Sequence, residues 1–327
     1  MTIFKRLIVS SLAGLMLLSW AHTSCALTQD EINAQTALHE EATLKARDSY
    51  TCLMDVPGRG ASIYYAQNSP EWADLAFGSK DYGQIRPFGG AGCVCTSLAI
   101  AVANLVPSNA LPRMQELMRK QFQIDTRSMS VDAGLGYPRR FCVRTPDDFL
   151  RFFPLSIGQY AVSNNRNGVT NPNSHSFYKF ILNHFKLPYV HTKDRSIALR
   201  ALDMGGIVVT SSGGQSSPFS VGGHYFTLMS HKDGYVYFFD PFRDFDYPND
   251  SKNVIEVVRP GLCRFSADRW EDVKLNSMFV ILPEGGDLDT LQDFNKPLVY
   301  YAMYPSLPPR LFSVTQALKT NHSLMRY

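Results

Sequence analysis

The chain has 327 residues and a formal net charge of +3, with 45% hydrophobic and 19% charged residues. This is an ordinary globular composition, enough for one large domain or two small ones. The near-balanced charge excludes an electrostatic argument for nucleic acid, and no nucleic-acid partner is expected.

Residues 1–26 read as an export signal. Lys5 and Arg6 precede the apolar run Leu7 to Trp20, and Ser24-Cys25-Ala26 fits a small-x-small cleavage site. The run is shorter than the roughly 20 residues a membrane span needs. The expectation is an exported protein, periplasmic or secreted, with no stable membrane span after cleavage. Beyond the signal, residues 27–60 are expected to form an N-terminal helical segment, 61–285 the main domain and 286–327 a C-terminal tail. Within the first of these, residues 27–48 carry Ala34, Leu38 and Ala42 at helical spacing. His39-Glu40-Glu41 lacks a second histidine, because position 43 is Thr, so no metal is expected there.

Glycines and prolines punctuate residues 50–92, which predicts short strands and loops. Cys93 to about Leu105 is predicted to be a helix, central and buried on the face of Leu98, Ala101, Val102 and Leu105. Further helices are predicted at 112–122, at 145–153 behind Thr145-Pro146-Asp147-Asp148, at 174–186 and at 196–204, with a surface loop at 158–173. The period then changes. Strands are predicted at 207–209, 224–231, 235–240, 253–258 and 278–282, and Ser211 to Gly223 is rich in Ser and Gly. Helices leading and strands following make an α+β fold.

Removing Cys25 leaves Cys52, Cys93, Cys95, Cys142 and Cys263. In an oxidising compartment an odd count leaves one thiol free. If that thiol is Cys93, the other four can form two disulfides, in connectivities the spacing does not decide.

Cys93 stands where Gly89-Gly90-Ala91-Gly92 runs into the predicted helix. A thiol is nucleophilic as thiolate, and the unpaired N–H groups of a first helical turn favour negative charge. His224 follows Gly222-Gly223, and Asp240 precedes Pro241. A histidine can take and return the thiol proton, and a carboxylate can orient the ring. A three-residue turn at 232–234 would set 226 opposite 240 and place His224 and Asp240 on one face of the hairpin. A two-residue turn would place them on opposite faces.

This block resembles the papain-like cysteine peptidases, especially the bacteriocin-leader-processing type. That family shows Cys-Gly-Pro-(Thr/Ala)-(Ser/Ala)-Leu-Ala at the head of its central helix; here the run is Cys93-Val94-Cys95-Thr96-Ser97-Leu98-Ala99. The resemblance covers roughly 85–245, with Gly205 to Val209, Gly223-His224 and Asp240-Pro241 in the family's order. It implies a papain-like fold with the nucleophile opening a central helix packed on an antiparallel sheet. It implies Cys93 as nucleophile, His224 as base and Asp240 as its orienter. Gln84, nine residues before Cys93 where the family has its glutamine about six before, is the oxyanion candidate beside the Cys93 N–H. Val94-Cys95 departs from the family's Gly-Pro. The expected activity is hydrolysis of a peptide or protein substrate without cofactor or metal. A cell-wall peptide amidase, deamidase or secreted effector using the same residues, and a non-catalytic binding module, are the alternatives.

Overall fold

Apolar runs of β-branched and aromatic residues in the second half of the chain form one seven-stranded sheet with both faces covered. The computed structural model describes residues 50–70, 72–73, 76–79, 84–106, 129–130, 140–141, 153–155, 157–158, 175–214, 217–219, 222–247 and 253–298. In chain order these hold β1 (Thr51–Val56), β2 (Gly60–Tyr65), β3 (Ala76–Ser79), β4 (Gln84–Pro87), α1 (Phe88–Ala91) and α2 (Cys93–Leu105). Then come β5 (Met129–Ser130), β6 (Arg140–Phe141), α3 (His175–His184), β7 (Tyr189–Thr192), α4 (Arg195–Asp203) and β8 (Ile207–Ser212). The rest are β9 (His224–Lys232), β10 (Tyr235–Phe239), β11 (Glu256–Arg259), β12 (Leu262–Ser266), a 3₁₀ stretch (Ala267–Val273), β13 (Leu275–Ile281) and α5 (Leu288–Gln292).

The large sheet runs β11-β12-β10-β9-β8-β13-β7, and every neighbouring pair is antiparallel. Side chains alternate between its faces with the period of two a strand imposes. Ile207, Val209, Tyr225, Met229, Phe239 and Phe279 join the core built with α2, α3 and the β1–β2 hairpin. Val208, Phe226, Leu228, Val236, Phe238 and Val280 join a second core with α4 and the 3₁₀ stretch. This is the expected mixture of helix with an antiparallel sheet. Helix α2 is buried over nearly its whole length, and Thr227 Oγ1 donates to its Ser97 carbonyl at 3.1 Å. Among the described residues no helix is long and apolar enough to cross a membrane.

Several expectations change. The domain boundary expected at residue 60 falls inside the β1–β2 pairing, in which Val56 faces Gly60 and Thr51 faces Tyr65. Strands β7 and β12 were not anticipated. The start of the expected tail is docked, since Arg200 reaches from α4 to the carbonyls of Thr290 and Asp293. The signal segment and the helices expected at 27–48 and 112–122 lie outside the described residues.

The described residues hold neither of the two disulfides the cysteine count allowed. No bridge joins the described cysteines to one another, and Cys95 and Cys263 are free thiols; Cys142 lies outside the described residues. Cys95 is buried on the core side of α2. Burial, followed by the neighbouring Cys93, pushes its pKa up, so it remains a thiol.

Arg59, in the β1–β2 turn, links four parts of the fold. Its guanidinium donates to the carbonyls of Gly205 (3.1 Å), Gly206 (3.1 Å) and Met229 (3.3 Å), and to Asn104 (3.0 Å) in the last turn of α2. A planar five-donor fork can span such a set and a single ammonium cannot. The helix end also presents carbonyls and negative partial charge to it. Arg59→Met strands buried carbonyls, each worth about 1–3 kcal/mol when left unsatisfied. We expect it to lower the unfolding free energy by about 3 kcal/mol or more, read from urea denaturation, and Arg59→Lys to recover only a minor part.

Candidate functional site

The glycine-rich approach to Cys93 is a packing requirement. A Cβ on Gly92 would lie 2.5 Å from the Phe88 ring, and one on Gly89 would lie 3.0 Å from Ala73 Cβ. The chain therefore folds tightly through α1 and delivers Cys93 as the first residue of α2. The thiol is half-buried and free. Cys93 and Cys95 sit two apart on the helix, about 200° around its axis, so they face different surroundings. Cys95 enters the core and Cys93 stays at its edge.

His224 opens β9 and Asp240 directly follows β10. The hairpin between them departs from expectation and still brings them together. Its turn has two residues, Asp233 and Gly234, both in the left-handed region with φ of 53° and 78°, as a type I′ turn requires. Lys232 accordingly faces Tyr235 and Ser230 faces Tyr237. Continued unbroken, that register would turn His224 away from Asp240. A β-bulge intervenes: beyond Tyr237, Phe238 faces Leu228 and Phe239 faces Thr227. Met229 is the extra residue. Its side chain lies in the core beside the β1–β2 hairpin, and the neighbouring Ser230 hydroxyl donates to the Pro57 carbonyl of the same hairpin at 2.6 Å. The strand end thereby recovers the register expected for it by another route, one residue lost in the turn and one gained in the bulge.

His224 Nε2 lies 2.7 Å from Asp240 Oδ1, and both side chains are buried. The Phe242 N–H donates to the same carboxylate oxygen at 2.8 Å. The Asp240 main chain is held as well: its N–H donates to the Gly261 carbonyl at 3.0 Å, and Tyr64 Oη donates to its carbonyl at 2.8 Å. Gly261 has φ of 83°, and a Cβ there would strike the Tyr64 ring at 2.4 Å. Phe245 stacks on the imidazole with centroids 5.3 Å apart, and Phe219 lies 5.7 Å away. These rings keep water from the His224–Asp240 hydrogen bond. Phe219 belongs to the Ser/Gly-rich segment between β8 and β9 and is itself buried, so that segment is anchored at 217–219.

Burial alone would lower the imidazole pKa. The charge and hydrogen bond of Asp240, and then the hydrogen bond and charge of Cys93, outweigh it and raise His224 to about 10. The imidazole thus stands between thiol and carboxylate, with Nε2 committed to Asp240 and Nδ1 left for the sulfur.

Gln84 is the first residue of β4, opposite Ser79; its side chain lies outside the described residues. Gln67 was not singled out from the sequence. It is buried, its Nε2 donates to the Gly89 carbonyl at 2.7 Å, and its own N–H donates to the Pro241 carbonyl at 2.6 Å. It therefore joins the loop before Cys93 to the loop after Asp240. His231, on the same strand as His224, pairs instead with Asp203 at 2.9 Å near the surface. The described residues contain no cluster of three or more His, Cys, Asp or Glu suited to a metal. Comparison of the sequence with protein-family models and with curated proteins found no match.

The raised His224 pKa has a consequence for stability. An unfolded histidine titrates near about 6.5, so between that pH and about 10 the folded state binds the extra proton. The stabilisation is complete below the unfolded value and is lost as pH rises through the folded one. Wild-type protein should lose stability from pH 7 to pH 10 in denaturant melts. In Asp240→Asn this component of the loss should disappear.

Proposed function

We propose that the protein is an exported thiol hydrolase of papain-like type that cleaves amide bonds, with peptides or proteins as first-choice substrates. One observation carries this reading: a half-buried cysteine at a helix start, an imidazole near enough for the cysteine to raise its pKa and a buried carboxylate 2.7 Å from that imidazole. The order along the chain and the Thr96-Ser97-Leu98-Ala99 run support the same family reading.

In this mechanism Cys93 reacts as the thiolate beside protonated His224, and its sulfur attacks the carbonyl carbon. A tetrahedral oxyanion forms and collapses to a thioester as His224 protonates the leaving amine. Water, deprotonated by His224, then attacks the thioester and releases Cys93. Asp240 keeps the ring oriented and balances the imidazolium. The Cys93 N–H, among the unpartnered donors of the first helical turn, is placed to stabilise the oxyanion, with Gln84 as the proposed second donor. Substrate reaches the thiol from its exposed side, whereas base and carboxylate work in a water-poor setting.

A peptidyl electrophile with a chloromethyl ketone warhead tests this directly. Labelling should fall on Cys93, and His224→Ala should slow it by about 100-fold or more. Cys95→Ala should leave the rate unchanged, and Cys93→Ala should abolish both labelling and release of fragments from peptide and cell-wall substrates. Labelling no faster than an ordinary thiol's, and indifferent to His224, would favour the non-catalytic binding module instead.

A further inference from the structure

The His224–Asp240 pair leaves one carboxylate oxygen unaccounted for. Tyr247, seven residues beyond Asp240, supplies its donor: Tyr247 Oη donates to Asp240 Oδ2 at 2.5 Å. Tyr247 Oη also lies 3.5 Å from Cys263 Sγ. A phenol has one proton, and it is committed to the carboxylate, so the thiol must be the donor in the second contact. Burial, followed by the nearby Asp240 charge, raises the Cys263 pKa and keeps that proton on sulfur. Burial, then Asp240 and Cys263, does the same for the Tyr247 hydroxyl. The Tyr247 ring is held by Phe245 at 4.9 Å and Phe219 at 5.7 Å between centroids.

We infer that Tyr247 is a positioning residue: it fixes Asp240 by the second carboxylate oxygen so that the first remains aimed at His224 Nε2, and Cys263 steadies the Tyr247 hydroxyl from behind. The torsion about a carboxylate's terminal bond is broad. An Asp240 held through Oδ1 alone shares that oxygen between His224 and the Phe242 N–H and can swing between them. Held at both oxygens, it cannot. Tyr247 thus acts through Asp240. The inference rests on the thiol-hydrolase reading only for its rate measurement, because the geometry it concerns is independent of any substrate.

The experiment follows the His224 ring by ¹⁵N NMR across pH 6–11 and, in parallel, the alkylation of Cys93 by iodoacetamide at pH 8. Tyr247→Phe should lower the His224 titration midpoint by about one unit, the equivalent of one charge-assisted hydrogen bond, and slow alkylation roughly 10-fold. Cys263→Ser, which keeps a donor behind Tyr247, should hold the midpoint near the wild-type value. If the hydroxyl merely drew charge from the carboxylate, its loss would strengthen the Asp240–His224 bond and raise the midpoint. A midpoint that rises or stays fixed therefore overturns the inference. Should Tyr247→Phe not fold, 3-fluorotyrosine at 247, a near-isosteric and stronger donor, should shift the His224 Nε2–H resonance, and an unmoved resonance overturns the inference. A midpoint that falls in Tyr247→Phe, with wild-type alkylation indifferent to His224→Ala, supports the positioning role while removing the hydrolase reading.

Discussion

A carboxylate with 1% of its surface exposed is the constraint around which the described structure is arranged. An unpaired buried charge costs several kcal/mol, and the cost falls only when each oxygen finds donors. Asp240 finds them on three sides: the imidazole at the head of β9, the Phe242 N–H of its own loop, and the Tyr247 hydroxyl. Its main chain is bonded in turn to Gly261 and Tyr64. Strands β2 and β9, the turn that leads into β12 and the 240–247 loop therefore converge on one residue. The network makes sense only as a set, since removing any donor leaves the charge in the same dry place with fewer partners. The aromatic rings around it serve the same end by keeping out water that would loosen the pair.

The register that brings His224 to this carboxylate is a long-range property. The Asp233-Gly234 turn, taken by itself, specifies the wrong face. The bulge at Met229 corrects it, and a bulge needs support because it interrupts a ladder. Arg59 provides part of that support by binding the Met229 carbonyl while also binding the end of α2 and the entry to β8. The same guanidinium that closes the C-terminal end of the Cys93 helix thus holds the irregularity on the His224 strand. Placement of the thiol and placement of the imidazole are consequences of one buried cation as much as of their own sequence neighbourhoods.

What was legible in the sequence follows from how local each feature is. Helix α2 runs from Cys93 to Leu105 as its small-residue, apolar pattern indicates, because its start is set by adjacent glycines and its burial by its own composition. Helices α3 and α4 and strands β8 to β10 were readable to within a few residues for the same reason. Strand β7 is only four residues long, directly after Pro188. Strand β12, Leu262-Cys263-Arg264-Phe265-Ser266, alternates weakly and is held chiefly by its partners. The bulge was invisible, since no local signal distinguishes Met229 from its neighbours. Tyr247, Arg59 and Gln67 were passed over because an isolated tyrosine, arginine or glutamine in a loop reads as ordinary surface. Their importance lies in partners up to 174 positions away, such as Pro241 for Gln67. Cys95 was misread because an export signal makes a bridge the default expectation, whereas helix geometry turns it into the core.

The contrast between the two cysteines bears on how such a site keeps a reactive thiol in a chain that carries several. Reactivity requires a sulfur that is reachable and a neighbouring imidazolium that favours its thiolate. Cys95 fails on the first count and Cys263 on both, being buried and hydrogen-bonded behind Tyr247. Among the described cysteines, only Cys93, at the helix edge, is both half-buried and close enough to His224 to raise its pKa. About half a turn of α2 therefore separates an inert core residue from a candidate nucleophile, and the selection is made by helical phase and by the single side chain that the bulged hairpin carries to meet it. The buried thiols contribute packing and one hydrogen bond, and their raised pKa values keep them out of competition with Cys93 for any electrophile entering from solvent.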